Sequence, residues 1–201
     1  VDNLHILLRR NGLHAPNHTP ADGLQYKTIH NIDIQKQRRL KRIPCGPCGN
    51  VHDYVPFYFG YLTPMLLQLK SGRVEGYNEG QAPLLYLVSS VKRVVASGAT
   101  YVFSDGHGIA VYTQWYDNLA DLDKVDWEMV SQRYWADNVD DMDRQRRKQA
   151  EFLVHRFCDW KLIDKIVVYN DRMKERVEQI LNKFSSGLRR PVYIEAGWYY
   201  Y

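Results

Sequence analysis

The chain has 201 residues, of which 45% are hydrophobic and 25% charged, with a formal net charge of +4. This is ordinary globular composition and excludes disorder over the whole length, while three cysteines cannot staple a chain of this size into a disulfide scaffold. The longest apolar runs, such as Pro83–Val88, fall far short of the roughly 20 residues a membrane span needs. No signal segment opens the sequence, and unpaired cysteines suit a reducing compartment, so a cytoplasmic protein is expected.

Asp2–Arg10 reads as a helix, with Leu4, Leu7 and Leu8 on one face, Asp2 as cap and Asn11-Gly12 as stop. Leu13–Tyr26 reads as a loop. Asn31–Arg42 is a basic helix that must end before Pro44. Cys45–Asn50 is a turn-rich loop. His52–Phe59 has strand composition, and Pro56 restricts it to an edge or an irregular strand. Thr63–Leu69 begins as a helix, with Thr63 as cap and Pro64 at the first helical position.

Leu84–Ser89 is a buried strand, Ser90–Ala96 a short helix and Tyr101–Ser104 another short strand. Asp105–Asp143 carries no long strand and at most two short helices. A helix is expected over Asp140–Ala150, with acidic residues early and Arg144–Lys148 late, as the helix dipole favours. Glu151–His155 then reads as an apolar strand, Trp160–Ile163 as a helical turn and Lys165–Tyr169 as a strand. Asp171–Phe184 is an amphipathic helix and Pro191–Glu195 a final strand. The irregular alternation of short elements is not the rhythm of a Rossmann fold, and neither that fold's glycine fingerprint nor a P-loop occurs. A compact mixed α/β domain over residues 1–201 is expected.

Two basic clusters stand out: Lys36–Arg42 has five basic residues in seven, and Arg144–Lys148 four in five. Tyr is abundant, at 15 residues. Basic clusters with many rings suit nucleotides, and a wet protein interface almost as well. Cys45-Gly46-Pro47-Cys48 spells a dithiol motif, but no apolar strand precedes it and no good helix follows, as that chemistry requires. Zinc on Cys45, Cys48 and His52 lacks a fourth ligand. A tight Gly/Pro loop is the favoured reading.

His107, between two glycines after a strand, fits either a ligand contact or a satisfied surface residue. Glu151 opens an apolar run directly after an Arg-rich helix. It could stabilise a developing cation, act as a base, or pair with a nearby arginine. Arg38 is either part of a solvated face or a fork aimed inward at a phosphate or base. In the second cluster, Asp140–Arg144 and Asp143–Arg147 are possible i,i+4 pairs.

Several strings, taken together, resemble the DarT DNA ADP-ribosyltransferases, toxins of DarT–DarG toxin–antitoxin systems. They include Val1-Asp2-Asn3-Leu4, Asn11-Gly12-Leu13, the long string His52–Phe59, Val102–His107, Arg133–Asp137 and Gln149–Val154. The resemblance runs over nearly the whole chain. It implies an ADP-ribosyltransferase-like α+β fold of short mixed β-sheets flanked by helices. It also implies NAD as ADP-ribose donor with no metal, thymine in single-stranded DNA as acceptor, and a macrodomain antitoxin as partner.

By the same resemblance, Glu151 and Arg38 are the catalytic residues, and Asn3, Gly12, Leu13 and Arg38 contact NAD. The stretch from about 107 to 151 is the substrate-recognition loop, with His107, Tyr134, Trp135, Arg144, Arg146 and Arg147 toward DNA. The family's preceding strand, with a His that helps grip NAD, would lie upstream of Val1. Cys48 stands where members carry a Gly, so the CGPC string reads as drift within a loop. Arg38→Ala is expected to lose activity with little change in melting temperature. Transfer to another base or to a protein, and nucleic-acid binding without catalysis, are the alternatives.

Overall fold

The computed structural model describes residues 1–201. Leu4 and Leu8 seat helix α1 (Leu4–Arg9) on the body, and Asn11, at φ 52°, turns the chain into strand β1 (Gly12–His14). Asp2 does not cap α1; its carboxylate pairs with Arg176 and Lys27. The Asn31 side chain accepts the N–H groups of Asp33 and Ile34 and so starts α2 (Ile32–Leu40). Strand β2 (Tyr54–Tyr58) follows, then α3 (Pro64–Lys70), capped by Thr63 with proline in its first turn.

Next come β3 (Tyr86–Val88), α4 (Val91–Ala96), β4 (Tyr101–Ser104) and β5 (Trp115–Tyr116). Two short helices, α5 (Trp127–Ser131) and α6 (Arg144–Lys148), precede β6 (Glu151–His155) and β7 (Phe157–Asp159). The chain finishes with β8 (Lys165–Val168), α7 (Asp171–Leu181) and β9 (Val192–Ile194).

Three small sheets result. β2-β6-β4-β5 is antiparallel throughout, β3-β8-β9 is mixed, and β1 pairs with β7. Pro56 sits on the edge strand β2, where its missing N–H breaks no ladder. Both faces of β6 are covered, which explains its unbroken apolar run. Phe152 and Val154 join one core with Val55 and Phe103, and Leu153 joins another with Ile43, Tyr54 and Val102. A further core lies around β8, where α1 and α7 pack Leu4, Leu8, Met173 and Val177 against Ile166 and Val168. Leu13 and Phe57 touch both large cores and tie the sheets together.

The architecture is α+β, as expected, with short strands and no regular crossover. A strand pairing and a helix differ from the sequence reading. Gly12–His14 is not loop but the partner of Phe157–Asp159, a pairing between segments far apart in the chain. The helix expected over Asp140–Ala150 is one short turn, Arg144–Lys148, because Asn138 and Asp141 bond each other's backbone in a turn before it. No helix is long and apolar enough to cross a membrane.

Candidate active site

Glu151 is the first residue of β6, and the register sets it opposite Tyr58, with Leu153 opposite Pro56. Opposed residues share a face, so Glu151, Pro56 and Tyr58 look the same way. That face is roofed by α2, whose single buried residue is Arg38. Arg38 donates both terminal nitrogens to Glu151, Nη1 to Oε1 at 2.8 Å and Nη2 to Oε2 at 2.7 Å. Only 6% of Arg38 and 1% of Glu151 is exposed. The ion pair considered for Glu151 therefore exists, and its partner comes from 113 positions away.

The pair lines a cavity of about 480 Å³, together with Gln35, Tyr58, Arg73, His107 and Gln149. Burial alone would raise the Glu151 carboxyl. The charge and hydrogen bonds of Arg38 outweigh that, with smaller help from His107 and the Gly108 N–H, and hold it below the usual carboxylate range. Burial pushes the Tyr58 phenol up, and Glu151 adds to the effect. Burial also lowers His107, which is therefore uncharged at neutral pH. Gly108 N–H donates to Glu151 Oε1 at 3.1 Å, and the Glu151 N–H donates to Ser104 Oγ at 3.2 Å. The carboxylate is thus fixed at both its backbone and its head.

The remaining expected site residues are placed differently. Asn3 bonds the Lys27 backbone in both directions and lines a neighbouring cavity of about 220 Å³. Gly12 and Leu13 line neither cavity. A Cβ on Gly12 would lie 2.3 Å from the Cys158 carbonyl oxygen, so this glycine answers to strand packing. Tyr134 is 80% exposed, but Trp135 is buried, with its indole N–H donated to Tyr200 Oη at 2.7 Å, and offers no free ring face.

Arg144 donates to the carbonyls of Tyr134 and Ala136. Arg146 is held by Asp105 and Asp143, and Arg147 by Asp126, Asp141 and Asp143, so these guanidinium groups are occupied by carboxylates. Asp143–Arg147 forms as an i,i+4 pair at 3.5 Å, while Arg144 makes no bond to Asp140.

Cys45 and Cys48 are free and lie in a tight loop closed by the Cys48 N–H on the Cys45 carbonyl. Burial, with Asp117 beside it, pushes the Cys45 thiol up to about 11, opposite to what a reactive dithiol needs. No three His, Cys, Asp or Glu side chains converge on a possible metal position. Gln35, Tyr58, Arg73 and Gln149 are among the cavity residues that sequence reasoning missed. Tyr58 becomes visible only once the β2–β6 register is known.

Comparison with solved structures fixes the class. The fold matches Thermus sp. 2.9 DarT in complex with ADP-ribosylated ssDNA, with TM-score 0.92 and 40% identity over 99% of this chain and 92% of that one. It also matches the same Thermus protein in complex with NAD+, with TM-score 0.88, 39% identity and coverage of 99% and 93%. A curated relative, the DNA ADP-ribosyl transferase of Thermus sp. (strain 2.9), is 40% identical over 200 residues, 100% of this chain and 92% of the relative. This protein is an ADP-ribosyltransferase by fold and by kinship. The sequence model described as "DarT: ssDNA thymidine ADP-ribosyltransferase" matches residues 1–200, and the chain belongs to that family.

Proposed function

We propose that this chain transfers ADP-ribose from NAD to a thymine base of single-stranded DNA, with Glu151 as the carboxylate that meets the ribose and Arg38 as its electrostatic partner. The buried, doubly hydrogen-bonded pair on the wall of the 480 Å³ cavity carries this reading. A buried ion pair is weak as a source of stability. Its place on the wall of a cavity of ligand-binding size whose lining is mostly polar favours a chemical role.

NAD supplies an ADP-ribosyl group whose ribose carbon gains positive charge as nicotinamide departs. Glu151, held ionised by Arg38, places negative charge where that positive charge develops. To do so it lends an oxygen now bonded to Arg38, and the Gly108 N–H keeps the carboxylate oriented meanwhile. Arg38 stays charged at any working pH and acts through position and field, not as a base. The acceptor nitrogen of thymine must lose its proton, and two groups lining the cavity can take it: Glu151 and the uncharged His107.

A single strand presents bases already unpaired. The exposed Tyr134 ring can stack on one, worth about 1–3 kcal/mol. With Arg146 and Arg147 engaged internally, Arg73 and the outer face of α2 supply the free positive charge near the cavity. A macrodomain antitoxin that removes the modification completes this reading.

Mass spectrometry of a thymine-containing oligonucleotide after incubation with NAD and enzyme tests it. The wild type adds one ADP-ribose, and Glu151→Gln loses at least about 100-fold in rate, the scale of one transition-state electrostatic contact. Near-wild-type modification by Glu151→Gln refutes the assignment. A labelled product that proteases but not nucleases destroy would move the acceptor to protein.

A further inference from the structure

The loop between β4 and β5, residues 105–114, delivers the Gly108 N–H to Glu151, so whatever holds that loop holds the carboxylate. Arg146, expected to face DNA, is bonded to the loop at three points. Its Nη1 donates to Asp105 Oδ1 at 2.8 Å and lies 3.5 Å from Thr113 Oγ1, and its carbonyl accepts the His107 N–H at 2.9 Å. Thr113 in turn donates to the His107 carbonyl at 2.7 Å, closing the loop on itself. On the other side, Arg146 Nε and Nη2 bond the two oxygens of Asp143, each at 2.7 Å.

The guanidinium lies against Gly106, where a Cβ would come within 2.4 Å of Nη1, and only 12% of the side chain is exposed. The Gly106 carbonyl accepts from Ser104 Oγ, which itself accepts the Glu151 N–H. An Arg146 turned outward to a phosphate would strand two carboxylates. Its bonds instead run inward, to the segment that touches Glu151.

We propose that Arg146 is a positioning residue for Glu151, a cross-brace that keeps the 105–114 loop seated so that the Gly108 N–H stays on the carboxylate. The proposal rests on the catalytic role assigned to Glu151 above. Without the brace the loop relaxes, Glu151 loses a hydrogen-bond donor to its charged form, and its pKa rises. Arg38, Tyr58 and His107 are the charged or titratable groups facing Glu151. His107, carried on the same loop and lowered by burial, rises in the same direction when the loop relaxes, so the acidic limb of the activity profile moves to higher pH.

The test measures kcat, both KM values, the pH profile and the salt dependence of oligonucleotide binding for wild type, Arg146→Gln, Arg146→Lys and Asp105→Asn. Arg146→Gln is expected to lower kcat by about tenfold or more, the scale of one hydrogen bond to a charged group. Both KM values should stay within about twofold, since uniform binding is untouched. The acidic limb moves up and the salt slope does not change. Arg146→Lys recovers part of kcat, and Asp105→Asn shifts the acidic limb in the same direction.

An unmoved acidic limb in Arg146→Gln overturns the proposal, as does a kcat that holds while DNA affinity falls and the salt slope flattens. If Arg146→Gln does not fold, Asp105→Asn decides on the same criterion. A wild-type protein that modifies no thymine oligonucleotide sinks the functional reading itself. An active wild type with an unmoved acidic limb sinks this inference alone.

Discussion

Arg38 and Glu151 show how one contact can revise an expectation drawn from a single residue. Read alone, Arg38 is either part of a charged helix face or a fork aimed inward, and its removal is expected to leave the melting temperature nearly unchanged. In the fold it is the counter-charge of a carboxylate that is 1% exposed. Stranding one member of a buried pair costs about 3–5 kcal/mol. Arg38→Ala should therefore lose activity and also melt well below wild type at neutral pH. The pair's contribution is present above the ordinary glutamate value of 4.5 and is lost as pH falls through the lowered folded-state value. The deficit of Arg38→Ala should accordingly shrink on acidification, and a second change, Glu151→Gln, should restore part of the lost stability. Thermal melts of the three proteins across pH check this, and an unchanged melt for Arg38→Ala at neutral pH contradicts it.

Elements with strong local signals were legible in the sequence. Asn31 caps α2, Thr63-Pro64 starts α3, and the Phe152–Val154 run is β6 because neither of its faces meets water. Strand β1 was not legible. Three residues that include a glycine and a histidine carry no alternation, and only their pairing with β7 makes them a strand. The same holds for Arg146 and Arg147: their nearest acids along the chain are visible, but Asp105 and Asp126 arrive by folding. Glu151 stood out by its neighbours, but its partner was not identifiable until the register and the α2 roof placed Arg38 against it.

At this scale Gly12 carries a prediction. A methyl group there would overlap the Cys158 carbonyl and the Phe157 ring, at 2.3 and 2.6 Å. Gly12→Ala should destabilise by about 1–3 kcal/mol through overpacking, measured by denaturant melts. A neutral result would show that the β1–β7 pair yields easily.

Across the whole molecule, stability should depend on pH in one direction. His14, His30, His52, His107 and His155 are all lowered from 6.5, with burial the largest cause in each. Below that pH the unfolded chain binds more protons than the native one, so stability declines as acid is added. The melting temperature should fall steadily between about pH 7 and about pH 5, where an unperturbed histidine titrates. A flat profile over that range would mean these rings are wetter than their burial indicates.

Helix α2 gives the interior no fully buried oily side chain; its one deep anchor is a cation. A proton arriving on that anchor's mate would therefore do two things in one event, silencing the chemistry and slackening the lid above it. Inactivation by acid should then begin as a local opening of this segment, traceable by faster amide exchange there before the sheets beneath give way.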